Sequence, residues 1–283
     1  MTIYAYIHTV GTGATERQVL ATTYDVRYVP SGVSAVEFPD GTPLALVNGV
    51  IQSDYVSRLG KVAEKKLAEI KAISYQTIGQ GFGWKGNQVT LSSQDQANNQ
   101  LSLSVAGFSS ATAKPWTSST AVTPTSVISA SGTYWHPLTS GTTGKTEPNW
   151  GNASPITDGS VSWQEILFQV GTDSGNIWVN VSEALELGVI GGTFISSQRS
   201  AYQAAKTKLV TLSNLPNWSQ GNSYSKGAQI FVPTTGGVWK TTKPGKSGPV
   251  FPLFEQTGQV IPDGATAWSY VGQAETLIGQ VTL

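Results

Sequence analysis

The sequence predicts a mainly β chain with a smaller helical part, divided into several domains: small β-modules plus a short helical domain. Three observations predict it. Charged residues make up 12% of the chain, about half the usual quarter, so there is little to solvate the outer faces of long helices. Ser and Thr together number 63 of 283 residues, with 31 Gly and 14 Pro, a composition of many turns. The 9 Trp, 10 Tyr and 8 Phe supply the apolar area that a folded core needs and a disordered chain lacks.

Residues 1–53 read as short strands. Val26-Arg27-Tyr28-Val29 ends at Pro30-Ser31-Gly32, and Val33 to Phe38 stops at Pro39-Asp40-Gly41-Thr42-Pro43. Leu44 to Val47 and Val50-Ile51 flank Asn48-Gly49, a type I′ hairpin signal. These hairpins leave little room for a private core. They fit either the edge of a small β-domain or an attachment segment completed by a partner.

Asp54 to Ile78 reads as a helix. Asp54 is the N-cap, Val56, Leu59, Ala63, Leu67 and Ile70 recur at three- and four-residue steps, and Gly79-Gln80-Gly81 stops it. Lys61, Glu64, Lys65, Lys66, Glu69 and Lys71 line the other side as a solvated face. The apolar stripe suits one wall of a small bundle or a seam between chains. A strand and turn follow at Phe82 to Asn87, and Ser92-Ser93-Gln94-Asp95 opens a second helix. Further helices are expected at Glu183 to Leu187, capped by Ser182, and from Ser196 or Ser197 through Tyr202, Ala205 and Leu209 to Leu212.

Between Phe108 and Gln164 the chain turns Thr/Ser/Pro/Trp-rich, as a β-module inserted into a helical domain would. This insert has a partner at the C-terminus. Trp135 precedes Gly144 by nine residues and Trp239 precedes Gly248 by nine; Asp158 precedes Trp163 by five and Asp263 precedes Trp268 by five. Each copy has an upstream tryptophan, Trp116 or Trp218. The expected domains are therefore 1–53, a β attachment segment; 54–110 with 169–213, a helical domain split by insertion; 111–168, module 1; and 214–283, module 2. A module this small without disulfides has a marginal core that large aromatics fill well. Trp163 and Trp268, with small alternating neighbours, are expected inside. Trp135, beside Tyr134 and His136, and Trp239, before Lys240-Thr241-Thr242, are expected to be exposed.

In module 2 the order Trp218, Tyr224, Lys226-Gly227, Ile230, Trp239, Pro244-Gly245 and Trp268 resembles the small carbohydrate-binding modules of the chitin- and cellulose-binding type. Module 1 matches less well, with Thr123 to Val127 where a Tyr-x-x-Gly turn belongs. Its Gly141 to Trp163 segment resembles the related tandem modules of bacteriophage tail proteins. Lys66 to Lys71, Gly81 to Gly86 and Ser92 to Asn98, continued by Asn176 to Val179 and Phe194 to Leu212, resemble a small domain of unknown function found in phage tail fibres. Together the resemblances cover residues 54–283. They imply a tail fibre or fibre-like virion structural protein, attached to tail or baseplate proteins through residues 1–53. The modules would face host-surface polysaccharide, and the chain would be a homotrimer located in the virion. Tyr134, Trp135, His136, Tyr224 and Trp239 are the candidate sugar-contacting residues, because aromatic faces stack on the apolar face of a pyranose. Two other readings are a non-catalytic binding accessory of a bacterial polysaccharide-degrading system and a purely structural virion connector.

Composition and motif spacing speak against other classes. With 17 basic and 17 acidic residues the formal charge is zero, which disfavours nucleic-acid or anionic-membrane surfaces. No cysteine is present, which removes disulfides, thiolate metal sites and Cys nucleophiles. The N-terminus lacks the pattern of a signal peptide and no apolar run reaches the roughly 20 residues of a membrane span, so a soluble chain outside the general secretory route is expected. His8 and His136 lack metal-motif spacing. Glu147, Asp158 and Asp263 sit in turn positions, and neither Glu165 with Asp173 nor Glu183 with Glu186 has a local feature that makes an acid–nucleophile pair. The expectation is a non-enzyme with no cofactor and no metal.

Overall fold

A computed structural model describes residues 2–10, 17–39, 43–47, 50–151, 155–254 and 258–283. The chain is mainly β with a helical part, and it forms two compact units. Unit one comprises Met1–Ile70 with Gln203–Leu283, and unit two comprises Lys71–Tyr202.

Unit one begins with β1 (Thr2–Val10), β2 (Arg17–Thr23) and β3 (Ala35–Pro39), in the antiparallel order β2-β1-β3. Little is buried there beyond Ile3 and Ala5. Val26–Tyr28 is a 3-10 turn rather than the expected strand. The Asp25 carboxylate accepts the Arg27 N–H at 2.9 Å and the Arg27 Nε–H at 3.0 Å, and that local pairing competes with extended backbone. β4 (Leu44–Val47) and β5 (Val50–Ser53) form the expected hairpin. Its Asn48-Gly49 turn, and the turn residues Asp40-Gly41-Thr42, lie outside the described residues.

The helix α1 runs Tyr55–Gln80. Asp54 caps it, accepting the Ser57 N–H at 3.3 Å, and Gly81 ends it at φ 79°. A Cβ on Gly81 would overlap the Val89 carbonyl, so glycine is required there. Leu59, Ala63, Ile70 and Ile78 are buried, whereas Val56 is 57% exposed. Most of the apolar stripe is therefore buried within the chain, as the wall of a small bundle would be.

Unit two holds two cores. β6 (Phe82–Trp84), β7 (Asn87–Val89), β15 (Leu167–Thr172) and β16 (Gly175–Asn180) form a sheet in the order β16-β15-β7-β6. The helices α2 (Ser93–Thr112) and α3 (Val181–Ser213) belong to the same region. Ile78, Phe82, Trp84, Val89, Leu91, Ala106, Phe168, Val170, Val179, Val181, Ala184 and Leu187 share one cluster. Residues before and after module 1 thus bury a common core, while module 1 keeps its own.

The structure has one continuous α3 where two helices were expected. Its N-cap is Asn180, not Ser182: the Glu183 N–H donates to Asn180 Oδ1 at 2.9 Å and the Asn180 N–H donates to Glu183 Oε2 at 3.0 Å, a reciprocal capping box. The glycines between the two expected segments are contact points. A Cβ on Gly188 would lie 2.4 Å from Leu103 Cδ1, and one on Gly191 would lie 3.1 Å from Phe82 Cε1. At the start of α2, the side chains of residues 93–99 lie outside the described set. Among the described residues no helix is long and apolar enough to cross a membrane.

Candidate functional site: two modules built on one aspartate

The sequence repeat is a structural repeat. Module 1 contains β8 (Lys114–Pro115), β9 (Ala121–Val122), β10 (Ile128–Ala130), β11 (Thr133–Pro137), β12 (Gly141–Thr142), β13 (Ile156–Asp158) and β14 (Val161–Glu165). Module 2 contains β17 (Ser223–Tyr224), β18 (Gln229–Val232), β19 (Gly237–Lys243), β20 (Gly245–Lys246), β21 (Ile261–Asp263) and β22 (Thr266–Gln273), followed by α4 (Ala274–Gly279). The sheets run β13-β14-β11-β10-β8 and β21-β22-β19-β18, with side pairs β12-β9 and β20-β17. Strand for strand these are the same meander. The parallel pairing of β8 with β10 in module 1 is reduced in module 2 to a single bridge, Asn217 with Phe231.

A buried aspartate stands at the centre of each. In module 2, Asp263 Oδ2 accepts the indole N–H of Trp218 at 2.7 Å and of Trp268 at 2.9 Å, and Oδ1 accepts the Gly248 N–H at 2.6 Å. In module 1, Asp158 Oδ2 accepts from Trp116 at 2.8 Å and Trp163 at 3.3 Å, and Oδ1 from Gly144 at 2.6 Å. Both aspartates are 4% exposed. The next residue, Gly159 or Gly264, sits at φ 60° or 59°. A Cβ there would come within 2.5 Å of the Thr142 carbonyl oxygen or 2.7 Å of the Gly248 nitrogen. The Asp-Gly pair is therefore a core fixture as well as a turn. A second shared bond lies beside it. The Thr143 and Ser247 hydroxyls each donate to a backbone carbonyl, of Thr117 and Ser219, at 2.7 Å.

This lattice explains why the spacings agree, and it reassigns the tryptophans. Trp163 and Trp268 are at 0% exposure, in the interior as the alternation indicated. The expected exposure of Trp135 and Trp239 is corrected: they are 2% and 0% exposed. The pleat puts Trp135 and Pro137 on the inner face of β11 and leaves Tyr134 and His136 half-buried on the other. In β19, Trp239 and Thr241 point inward and Lys240 outward. Tyr224 is also inside, with its ring edge-on to Trp268 at a centroid distance of 4.8 Å and its hydroxyl accepting the Ser219 N–H. Tyr134 packs against the neighbouring helical core and its hydroxyl lies 3.4 Å from Ser110 Oγ. Four of the five candidate sugar-contacting side chains are thereby committed to packing. His136 is half-buried, across the sheet from Gln164.

What differs between the copies lies at the rim. The position of Trp150 in module 1 is taken by Phe254 in module 2, six residues after Gly144 and Gly248 respectively. Both rings are buried against the module tryptophans: Trp150 on Trp135 at 5.0 Å, Phe254 on Trp239 at 5.0 Å. Three residues earlier, Glu147 in module 1 accepts the Trp150 indole N–H at 2.8 Å. Its counterpart Phe251 instead stands edge-on between Trp218 at 5.2 Å and Phe254 at 5.3 Å, and it remains 47% exposed. Val250 and Leu253 beside it are 74% and 76% exposed, where module 1 has Thr146 and Asn149. The sequence signal for this contrast was present in the repeat alignment, in the pairing of Thr-Glu-Pro-Asn with Val-Phe-Pro-Leu.

The carboxylates Glu183 and Glu165 have these surroundings. Lys85 Nζ lies 2.9 Å from Glu183, and that bond holds the Glu183 carboxyl below the usual carboxylate range. Glu165 is pushed up by burial, with the Glu183 charge adding to it. Glu183 spends its oxygens on Lys85 and on the α3 cap. Among the described residues no cluster of three or more metal-ligating side chains occurs. No protein-family model, no curated protein and no solved structure matches the chain.

Proposed function

We propose that the chain is a fibre-like structural component of a bacteriophage tail that presents β-modules for recognition of host-surface glycans, without enzymatic activity. The observation that carries the reading is duplication. One chain holds the same Asp-centred module twice, one copy set within a helical domain that keeps its own core, and a duplicated scaffold leaves one copy free to diverge toward recognition, with avidity supplied by the copies of the chain in an oligomer. A neutral chain rich in hydroxyl side chains suits uncharged polysaccharide better than nucleic acid. Attachment through residues 1–53 fits a three-stranded sheet with few buried side chains, which gains from a partner's surface. Self-association into a trimer belongs to the same reading. Leu101, Val105 and Phe108 recur at four- and three-residue steps on α2 and are 67%, 43% and 63% exposed, which supports α2 rather than α1 as the seam of this proposal.

The burial of Trp135, Trp239 and Tyr224 favours a second reading in which the modules are connectors that bind no sugar. Fluorescently labelled full-length chain applied to panels of bacterial cells separates the two. Glycan recognition predicts labelling that disappears after periodate oxidation of the cells and survives protease treatment. No labelling of any strain supports the connector. Detection of the chain by mass spectrometry in purified phage particles tests the virion assignment.

A further inference from the structure

We infer that glycan contact belongs to module 2 alone, and that its platform is the rim formed by Val250, Phe251 and Leu253 with Trp218; this rests on the glycan reading above. The two modules share strand order, the Asp-centred bonds and the ring stack beneath the rim. Shared features serve the fold that both copies need. A feature present in one copy and absent from the other is free to serve recognition.

The rim is such a feature. In module 1 the aligned side chains are Thr146, Glu147 and Asn149, and the Glu147 carboxylate is spent on Trp150. In module 2 they are Val250, Phe251 and Leu253, apolar and largely open to solvent. Leaving three adjacent apolar side chains in water is unfavourable unless something covers them. The Phe251 ring is also packed on two sides. It is held edge-on by Trp218 and by Phe254, and Phe254 is itself 4% exposed against Trp239 and Trp268. Pro249 and Pro252 bracket it and restrict the backbone. A ring fixed before binding loses little entropy on contact.

The chemistry selects the ligand. Residues 247–254 carry no charge, so the platform itself is apolar and uncharged, with Lys246 at its edge beside Gly221. Asn217, Ser219 and Gln220 flank Trp218 and are exposed, which places amide and hydroxyl groups next to an apolar platform. An uncharged pyranose polymer offers the matching pair, an apolar C–H face and hydrogen-bonding edges.

The test uses the full chain and immobilised β-1,4-linked polymers of N-acetylglucosamine, glucose and mannose as probes. Wild type, Phe251→Ser, Leu253→Ser and the module 1 control Thr146→Ala are compared for retention, with thermal melts alongside. The expected result is retention of the wild type on at least one polymer. Affinity should fall about tenfold for Phe251→Ser, the scale of one lost ring contact, and by a similar factor for Leu253→Ser, which removes an aliphatic contact, and Thr146→Ala should match the wild type. Leu253 is 76% exposed, so its variant keeps the test valid even if Phe251→Ser melts early. Wild-type retention that both module 2 variants share overturns the assignment of the rim and leaves the glycan reading standing. A wild type retained on none of the polymers overturns the assignment of an uncharged β-1,4-linked ligand to the rim, and the cell-labelling experiment decides the glycan reading separately.

Discussion

Removing the carboxyl group of Asp263 should cost module 2 its stability while leaving module 1 folded. Three donors converge on that side chain: the Trp218 and Trp268 indoles at 2.7 and 2.9 Å and the Gly248 amide at 2.6 Å. Trp268 is at 0% exposure, so an orphaned indole N–H there finds no water. Each unsatisfied buried donor costs about 1–3 kcal/mol. Part of that is offset because the aspartate itself no longer has to be desolvated. Breaking one side of a buried charged network nets about 3–5 kcal/mol, and we expect Asp263→Ala in that range. For a cooperative unit of about 150 residues this lowers the melting temperature by at least about 6 °C. Asp263→Asn should fall between Ala and wild type. It keeps one oxygen for the indoles but turns an NH₂ toward the Gly248 N–H, donor against donor. Hydrogen exchange followed by mass spectrometry locates the loss. Protection should drop across 223–273 and persist across 121–165, and Asp158→Ala should give the reverse pattern. An Asp263→Ala protein that melts with the wild type, or loses protection equally in both modules, would refute the claim that this carboxyl organises its module.

Three further outcomes follow from the same structure. Trp135→Ala and Trp239→Ala should destabilise as severely as Trp163→Ala and Trp268→Ala, by about 3–5 kcal/mol each, in a thermal melt of the four variants. Leu59 is 3% exposed, so Leu59→Ala should cost about 2–5 kcal/mol of folding stability while light scattering returns the wild-type mass; a change of mass would put α1 back at an interface between chains. Incubation with cell-surface polysaccharides should release no reducing ends, and release abolished by changing a single carboxylate would overturn the non-enzymatic reading.

How much of this was legible in the residues differs from element to element. The helix α1 and the module repeat were legible because each is written in spacing, three and four residues for the helix and matched landmarks for the repeat. The continuity of α3 was not, since Gly188 and Gly191 look like breaks until Leu103 and Phe82 are seen against them. The face of a short strand was equally hidden. Trp135 has polar neighbours on both sides, and only its pairing with Ile128 and Glu165 fixes which side of the sheet it occupies. Asp158 and Asp263 read as turn residues because Asp-Gly is a turn signature. The equal five-residue interval to a tryptophan was the sign of a second duty, one that local propensity alone does not reveal.

The register of module 1 has a consequence for how this chain can change. Lys114 pairs with Ile128, Ile128 with Trp135, and Trp135 with Glu165. The first and last strands of the insert therefore sit at the same level of one sheet, three strand spacings apart, or roughly 14 Å. To the host domain the whole module is a loop whose ends are already near each other. Replacing it by about five residues of flexible linker spans the same gap. The entropy of closing a host loop rises only slowly with its length. A module can thus be excised, duplicated or exchanged for another with the same spacing between its ends, and the packing left for the surrounding helices and sheet to solve is the patch that Tyr134 covers.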